Sequence, residues 1–395
     1  MKNIQKCFKV SVILMVAFTS CFVSAQLWAP QFWSGHFWFD IVRLKQILQN
    51  NSAIKYIKCA DKLPYKVAPF EIEPSVPNKI IFDELFTLLI PQGKIQGIPG
   101  FVVIDNQYVY EFVWAEQPIH LYAILKIPDD QVRKVLGRVA VIPHTNYGNY
   151  TNHYHLIYEI LGGLAVLEMN GIEYDWLYIP YDISRVQTIL TLWGIDSSKI
   201  ISPVDAHFSI QADEVIVPSC LCNINIGFEH YSGQFIHPIT MNYVKNKLLK
   251  KVEAVSTHKV FSRKIFISRK DSMLRRILNE DDVFQLFEPL GFVRYELSKM
   301  TVEEQILLFK NAEIMVGEHG AGLTNLLFCN KETMVIELFQ RHINMCFWWI
   351  SSACELQYFP VKLLNMDTEY SGGSYDSKTN VSLDNIYPVI EMLKK

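Results

Sequence analysis

The sequence carries no excess of charge of either sign. Its 37 Lys and Arg nearly balance 40 Asp and Glu, leaving a formal charge of −3 over 395 residues. That balance gives no electrostatic footprint for nucleic acid, and no nucleic-acid partner is expected. There is no low-complexity block and no internal repeat. No Asp-x-Asp occurs, so the sequence gives no basis for a bound divalent cation, and no cofactor is expected. No Gly-x-Ser-x-Gly occurs either, which excludes the nucleophile turn of a serine hydrolase. Cysteine is badly spaced for zinc: Cys220-x-Cys222 is too tight, and no second pair completes four ligands. Cys7 and Cys21 lie in the N-terminal segment. Cys59, Cys220, Cys222, Cys329, Cys346 and Cys354 read as buried apolar residues, or some of them as disulfide partners if the chain is exported.

What is present is apolar and aromatic. Half the residues are hydrophobic and 13% are aromatic, enough for a large core. The length suits two or three domains of about 150 residues each. Lys2, Lys6 and Lys9 precede an apolar run from Val10, and Val23-Ser24-Ala25 puts small residues where a signal peptidase cuts. No Lys or Arg follows until Arg43, so residues 1–25 read as a signal peptide with the bulk of the chain exported. Val10–Ala29 is about 20 residues, enough to cross a bilayer, so an uncleaved signal anchor stays open. A cytosolic protein with a hydrophobic N-terminal helix is the third reading. The expectation is a secretory-pathway or membrane-anchored protein, with membrane association through this segment.

The rest of the chain alternates strand-like and helix-like stretches. Phe101–Trp114 and Ile119–Ile127 read as strands of a small β-rich N-terminal addition. Val139–Ile142, Tyr174–Pro180, Val204–Phe208 and Glu214–Pro218 read as further strands. Ile183–Trp193 reads as a helix closed by Gly194, and Pro238–Ala254 as a linking helix. Beyond it, Lys264–Arg269, Gly291–Leu297, Glu313–Gly317 and Met334–Phe339 read as strands. Between them Arg275–Leu290 and the stretch after Thr301 read as helices, with Glu304 completing a capping box. Such alternation implies right-handed crossovers, a parallel sheet, and ligands at the C-terminal ends of strands.

One stretch organises the whole. After the strand Glu313–Gly317 come His319, Gly320, Ala321 and Gly322, and then Leu323–Phe328 reads as the first turns of a helix. Small residues let the backbone approach a ligand, and a helix N-terminus offers unpaired N–H groups to an anion. The same turn also occurs with no ligand. Arg269, Glu318, His319 and Glu337 all fall at or near strand C-terminal ends. An Arg converging on a helix N-terminus suits a diphosphate.

ISRK, RRILNEDDVF, GFVRYEL, EEQILLFKNAEIMVGEHGAGLTN and VIELF, in this order and spacing, resemble the catalytic region of glycosyltransferase family 61. The resemblance covers residues 140–340. It implies an α/β fold of GT-B type, with two Rossmann-like domains facing a cleft. The expected domains are an acceptor-side half at 26–230, a linker and linking helix at 231–262, and a nucleotide-sugar-binding half at 263–395. It also implies an inverting glycosyltransferase that moves a sugar from a nucleotide-sugar donor, usually a UDP-sugar, to a hydroxyl of a glycan or glycoprotein acceptor. An exported transferase of this kind needs a compartment into which nucleotide sugars are imported, such as the endoplasmic reticulum or Golgi lumen.

Inverting transfer is a single displacement. It needs a base for the acceptor hydroxyl and a group that stabilises the departing diphosphate. For the diphosphate the expectation is Arg269 with the backbone N–H groups of Gly320–Gly322, assisted by Ser268. Asn325 is assigned to the donor or to holding the loop. Glu337 is assigned to the ribose hydroxyls or to capping a strand end. For the base the first expectation is His155, with Glu159 or Glu318 behind it. The resemblance matches at Tyr154-His155 and Glu159. It departs at Leu156, where an aromatic usually follows the His, which puts the acceptor contacts in doubt. On a helix His155 and Glu159 are i,i+4 neighbours, so the carboxylate orients the imidazole. A purely structural His155 stays open. His-x-His-x-x-x-Glu also resembles a cupin metal motif, but cupins need short strands here and Leu156–Leu167 is a long apolar run suited to a helix. Two glycosylation sequons are present in form, Asn149-Tyr-Thr151 and Asn380-Val-Ser382, the first inside the suspected site. The alternative function is a non-catalytic exported carbohydrate- or nucleotide-binding protein that keeps the fold.

Overall fold

In a computed structural model of the chain, the residues described are 40–42, 44–67, 69–71, 79–109, 127–142, 152–180, 182–205, 207–219, 222–223, 235–254, 259–340, 343–363 and 378–395. The expected signal or anchor segment lies outside them, as do residues 110–126 and the loop 143–151 with its sequon. Among the described residues no helix is long and apolar enough to cross a membrane. Cys59, Cys329, Cys346 and Cys354 are free thiols, the middle two buried.

The chain up to residue 218 builds one mixed sheet. Its strands are β1 (Asp40–Val42), β2 (Lys55–Ala60), β5 (Leu85–Pro91), β6 (Lys94–Gln96), β7 (Phe101–Ile104), β8 (Gln107–Val109), β9 (Arg133–Val141), β10 (Trp176–Tyr178), β11 (Ile200–Ile201) and β12 (Ser209–Pro218). The hairpin β3 (Leu63–Lys66) with β4 (Lys79–Phe82) stands apart from that sheet. Helix α1 (Leu44–Asn50) follows β1. The sheet's parallel core runs β12-β9-β10-β11. On the other edge of β12, β6 pairs with Ser209–Gln211 and β5 with Glu214–Pro218, both antiparallel. The β-rich N-terminal part is therefore not a separate addition. Ten residues of β12 give it an edge on which to continue the same sheet.

Two helical stretches pack against this sheet. His153–His155 (α2) runs through a π-helical turn, Leu156–Ile160, into α3 (Leu161–Met169). Asn152 caps the start, accepting from the Tyr154 N–H at 3.0 Å. Helix α4 (Ser184–Trp193) ends on Gly194, whose φ of 97° is the left-handed cap that glycine alone adopts freely. The expected strand at 204–208 is absent: Asp205 Oδ1 accepts from the His207 and Phe208 N–H groups, and this side-chain turn displaces a ladder.

After a short pair, β13 (Cys222–Asn223) with β14 (Phe235–Ile236), helix α5 (Pro238–Ala254) leads to a second sheet. This sheet is wholly parallel. Its strands are β15 (Lys264–Ser268), β17 (Val293–Glu296), β18 (Ile314–Glu318), β19 (Met334–Phe339) and β20 (Gln357–Lys362), in the order β17-β15-β18-β19-β20. The chain leaves β15 toward one edge and returns to β18 on its other side. The crossovers therefore diverge between β15 and β18, the position at which parallel sheets of this topology take ligands, outside the strand C-terminal ends.

The helix expected from Arg275 begins later, as α6 (Glu280–Phe287). Arg275 has a left-handed φ of 49°, and Arg276–Ile277 form β16, paired with β21 (Lys378–Thr379). Glu280, Asp281 and Asp282 then fill the first turn, where the helix dipole favours carboxylates. Thr301 makes the expected capping box with Glu304 at the head of α7 (Val302–Asn311). Ala321–Phe328 is a 3-10 helix rather than an α-helix. Helix α8 (Cys346–Ala353) precedes β20, and α9 (Tyr387–Leu393) closes the chain.

The inner faces of the two sheets share one hydrophobic cluster, which runs from Ile142 and Leu164 through Val244 and Leu248 of α5 to Met315 and Trp349. Trp349 donates its Nε1–H to the Ile236 carbonyl at 3.0 Å, and the rings of Tyr65 and Phe82 pack on it at 5.2 and 5.0 Å. Strand alternation decides which side chains face this shared layer. Met315 and Val335 face it, whereas Val316, Ile336 and Leu338 join the outer cluster under α6 and α9.

Candidate active site

The switch point between β15 and β18 is where the sequence placed its anion site. Arg269 follows the last residue of β15, and Gly320 lies two residues past β18. A Cβ built on Gly320 would lie 1.7 Å from Arg269 Nη1 and 2.5 Å from its Cζ. The guanidinium thus rests directly on the glycine turn. Three acceptors hold its other edge: the Arg275 carbonyl takes Nε–H at 3.2 Å, and Ser272 Oγ and the Leu274 carbonyl take Nη2–H at 2.8 Å each. Nη1 has no hydrogen-bond partner among the described residues. It is left facing the turn that carries Ala321 and Gly322. The arrangement offers a fixed, forked cation beside backbone N–H groups, as a phosphate requires.

Two residues that sequence reasoning missed complete this corner. Glu280, buried at the head of α6, accepts from Ser268 Oγ at 2.6 Å and from the Arg269 backbone N–H at 2.9 Å. It therefore fixes the exit of β15, and it takes up the Ser268 hydroxyl expected to meet a phosphate. Arg275 brings a second guanidinium close enough to depress His319. In the sequence it reads as one face of a helix; its left-handed backbone breaks that pattern, and its charge acts on both Arg269 and His319. The run of charge in RKDSMLRR was the available signal.

The two carboxyl groups at the ends of β18 and β19 part company by strand alternation. Glu337 pairs in register with Gly317, so it shares a face with His319, two residues on. Its Oε1 lies 2.5 Å from His319 Nδ1, and its Oε2 accepts from the Tyr358 hydroxyl. Burial pushes the Glu337 carboxyl up to about 8. Burial, then the Arg275 and Arg269 charges, hold the His319 imidazole well below its usual value. Burial thus favours the uncharged form of both partners. Glu318 points to the opposite face, away from His319, and is held there by Gln340 and the Ile277 N–H.

Asn325 holds the loop. Its Nδ2 donates to Gln305 Oε1 at 3.0 Å and to the Gly322 carbonyl at 3.1 Å, and its Oδ1 lies 3.4 Å from His153 Nε2. Burial pushes the His153 imidazole down to about 4, so it is neutral and serves as a hydrogen-bonding strut between the two sheets' elements. Tyr158 adds a second strut, its hydroxyl donating to the Thr324 carbonyl at 2.9 Å. These contacts bring the helix that carries the expected base onto the glycine-loop segment. On that helix His155 Nδ1 lies 2.6 Å from Glu159 Oε1, the two residues being 4% and 2% exposed. Glu159 thereby fixes the orientation of the imidazole.

The family model described as Glycosyltransferase 61 matches residues 34–336. The chain belongs to glycosyltransferase family 61. Among curated relatives, the EGF domain-specific O-linked N-acetylglucosamine transferase of Xenopus laevis is 30% identical over 100 residues, 24% of this chain and 19% of that protein. The protein of the same description from Mus musculus is 26% identical over 132 residues, 31% of this chain and 25% of that protein. That from Drosophila melanogaster is 30% identical over 87 residues, 21% of this chain and 16% of that protein. The matches thus span a quarter or less of these relatives' length. The family match includes Arg269, the His319–Gly322 turn and the His155 helix, and ends one residue before Glu337. Among the described residues no group of three or more His, Cys, Asp and Glu side chains is placed to hold a metal ion.

Proposed function

We propose that the protein is an inverting glycosyltransferase that uses a nucleotide-sugar donor, with UDP-sugars as the donor class. The observation that carries this reading is Arg269 Nη1 lying on Gly320 at the diverging crossovers of a parallel sheet. The diphosphate of the donor rests against that guanidinium and the N–H groups of Gly320–Gly322, with Arg275 as a second cation. Charge develops on the departing diphosphate in the transition state, and preorganised donors there lower the barrier. No metal ion is assigned a step.

In this reading the chain up to residue 230 is the acceptor-side half and 263–395 the donor half of a GT-B layout, linked by 231–262. His155 takes the proton of the acceptor hydroxyl through Nε2, with Glu159 stabilising the imidazolium. The hydroxyl oxygen attacks the anomeric carbon, the bond to the diphosphate oxygen breaks, and the configuration inverts. The relatives' description makes N-acetylglucosamine the first sugar to try and a folded protein domain the first acceptor. An exported or membrane-anchored location, through residues 1–25, belongs to the same proposal.

Burial of the His155–Glu159 pair favours a second reading, donor binding without turnover. One experiment separates the two. The protein is incubated with a panel of UDP-sugars, with and without an EGF-domain acceptor, in excess chelator. Release of UDP and a product of inverted anomeric configuration support the transferase. UDP binding with no release under any condition supports the binding protein. Complete loss of activity in chelator contradicts the metal-independent mechanism.

A further inference from the structure

Glu318 is the last residue of β18 and is 5% exposed. Its Oε1 accepts from Gln340 Nε2, and its Oε2 accepts from the Ile277 backbone N–H at 3.3 Å. Ile277 closes the loop whose Ser272, Leu274 and Arg275 acceptors hold the Arg269 guanidinium. One carboxyl therefore ties the strand that feeds the glycine turn to the loop that aims the arginine. The charged groups facing it are Arg269, from the end of β15, and Glu280, from the head of α6.

Gln340 supplies a second observation. Its Oε1 is buried and has no donor among the described residues. A half-turn of the amide exchanges Oε1 and Nε2 in space. A protonated Glu318 then donates its O–H to Gln340 Oε1, whereas an ionised Glu318 accepts from Nε2. Each charge state of the carboxyl has its own hydrogen bond with Gln340, and the two states differ by one proton.

We propose that Glu318 is a positioning residue that latches the Arg269 loop to β18 and takes up a proton when a diphosphate settles against Arg269. The inference rests on the donor-site reading above. A bound diphosphate competes for the one cation that favours ionised Glu318 and adds negative charge beside it; protonation of the carboxyl relieves both. Burial already holds this carboxyl at about 8, against an ordinary value of 4.5. Ligand raises it further. Below about 8 both the free and the bound protein carry the proton, and affinity is insensitive to this group. Above it, binding must draw a proton from solution, and affinity falls.

The test is calorimetric titration of the full chain with UDP from pH 7 to 9, in buffers of different ionisation enthalpy so that protons are counted. The expected result is flat affinity to about pH 8. It then falls by up to about tenfold per pH unit, with up to one proton taken up. In Glu318→Gln the fall and the proton uptake disappear. Wild-type affinity that stays flat to pH 9 overturns the inference and leaves the donor site standing. So does a Glu318→Gln profile identical to wild type. If that variant fails to fold, the same titration of Glu337→Gln decides, because Glu337 also sits at about 8 beside the turn: uptake that persists there belongs to Glu318, and uptake that disappears overturns the inference. Absence of UDP binding at every pH overturns the proposed function and this inference together.

Discussion

Gly320 has a φ of 172°, extended backbone that any residue can adopt. What requires glycine there is Arg269, whose Nη1 fills the place of a Cβ. Gly320→Ala must push the guanidinium off the turn. With a charged hydrogen bond worth about 1.5–3 kcal/mol, UDP affinity should fall roughly 10- to 150-fold, measured by titration. His155→Ala makes the complementary prediction: turnover falls about 10²- to 10⁴-fold while UDP affinity stays, as befits a base that does not touch the diphosphate. Glu337 gives a pH prediction. The folded protein holds its proton up to about 8, whereas the unfolded chain releases it near 4.5. Between those values the folded state binds more protons, so this group's contribution to stability is lost as pH rises from 4.5 through 8. Urea midpoints at pH 5.5, 7 and 8.5 should show that decline, and Glu337→Gln should reduce it. At this scale the approach of Arg269 to the glycine turn and the pairing of His155 with Glu159 were legible, the first from strand ends and the second from helical spacing. Glu280 was not legible, and Asn325 keeps the loop-holding one of its two expected roles. Glu280 clasps the Ser268 hydroxyl and the Arg269 N–H, while Asn325 spends its amide on Gln305 and the Gly322 carbonyl, and such partners are set by tertiary packing.

Among the elements, the parallel strands were legible because both of their faces are covered, which gives short apolar runs bounded by polar residues. Met334–Phe339 and Pro238–Ala254 keep their expected bounds. Helix starts were harder. The charges from Arg275 looked like one face of a helix, but a left-handed Arg275 and the β16–β21 pair delay the helix to Glu280. The 3-10 winding of Ala321–Phe328 has no composition signal of its own. Thr301 is the opposite case, a capping box readable from Thr and Glu at the right spacing. Thr301→Ala should cost about 1 kcal/mol by denaturant unfolding, with no change in UDP affinity.

For the molecule as a whole, the sequence shows two alternating α/β halves but not how far they merge. The inner faces of the two sheets share one cluster, and Trp349 of the second half is gripped by Tyr65 and Phe82 from the first and by the Ile236 carbonyl of the connecting segment. Trp349→Ala should destabilise by about 3–5 kcal/mol. Because both halves use that cluster, both should lose it in one unfolding transition; a C-terminal half that melts at its wild-type temperature would contradict shared packing. The same packing holds His153 against Asn325 and so sets the His155 helix against the glycine loop. The account as a whole stands on a diphosphate bound between Arg269 and Gly320–Gly322. Titration of UDP into wild type and Arg269→Ala, with folding of both checked by thermal melting, tests that most directly. The account predicts saturable binding to the wild type and at least a tenfold loss in the variant, as expected for one charged hydrogen bond; equal affinity in a folded Arg269→Ala protein would contradict it.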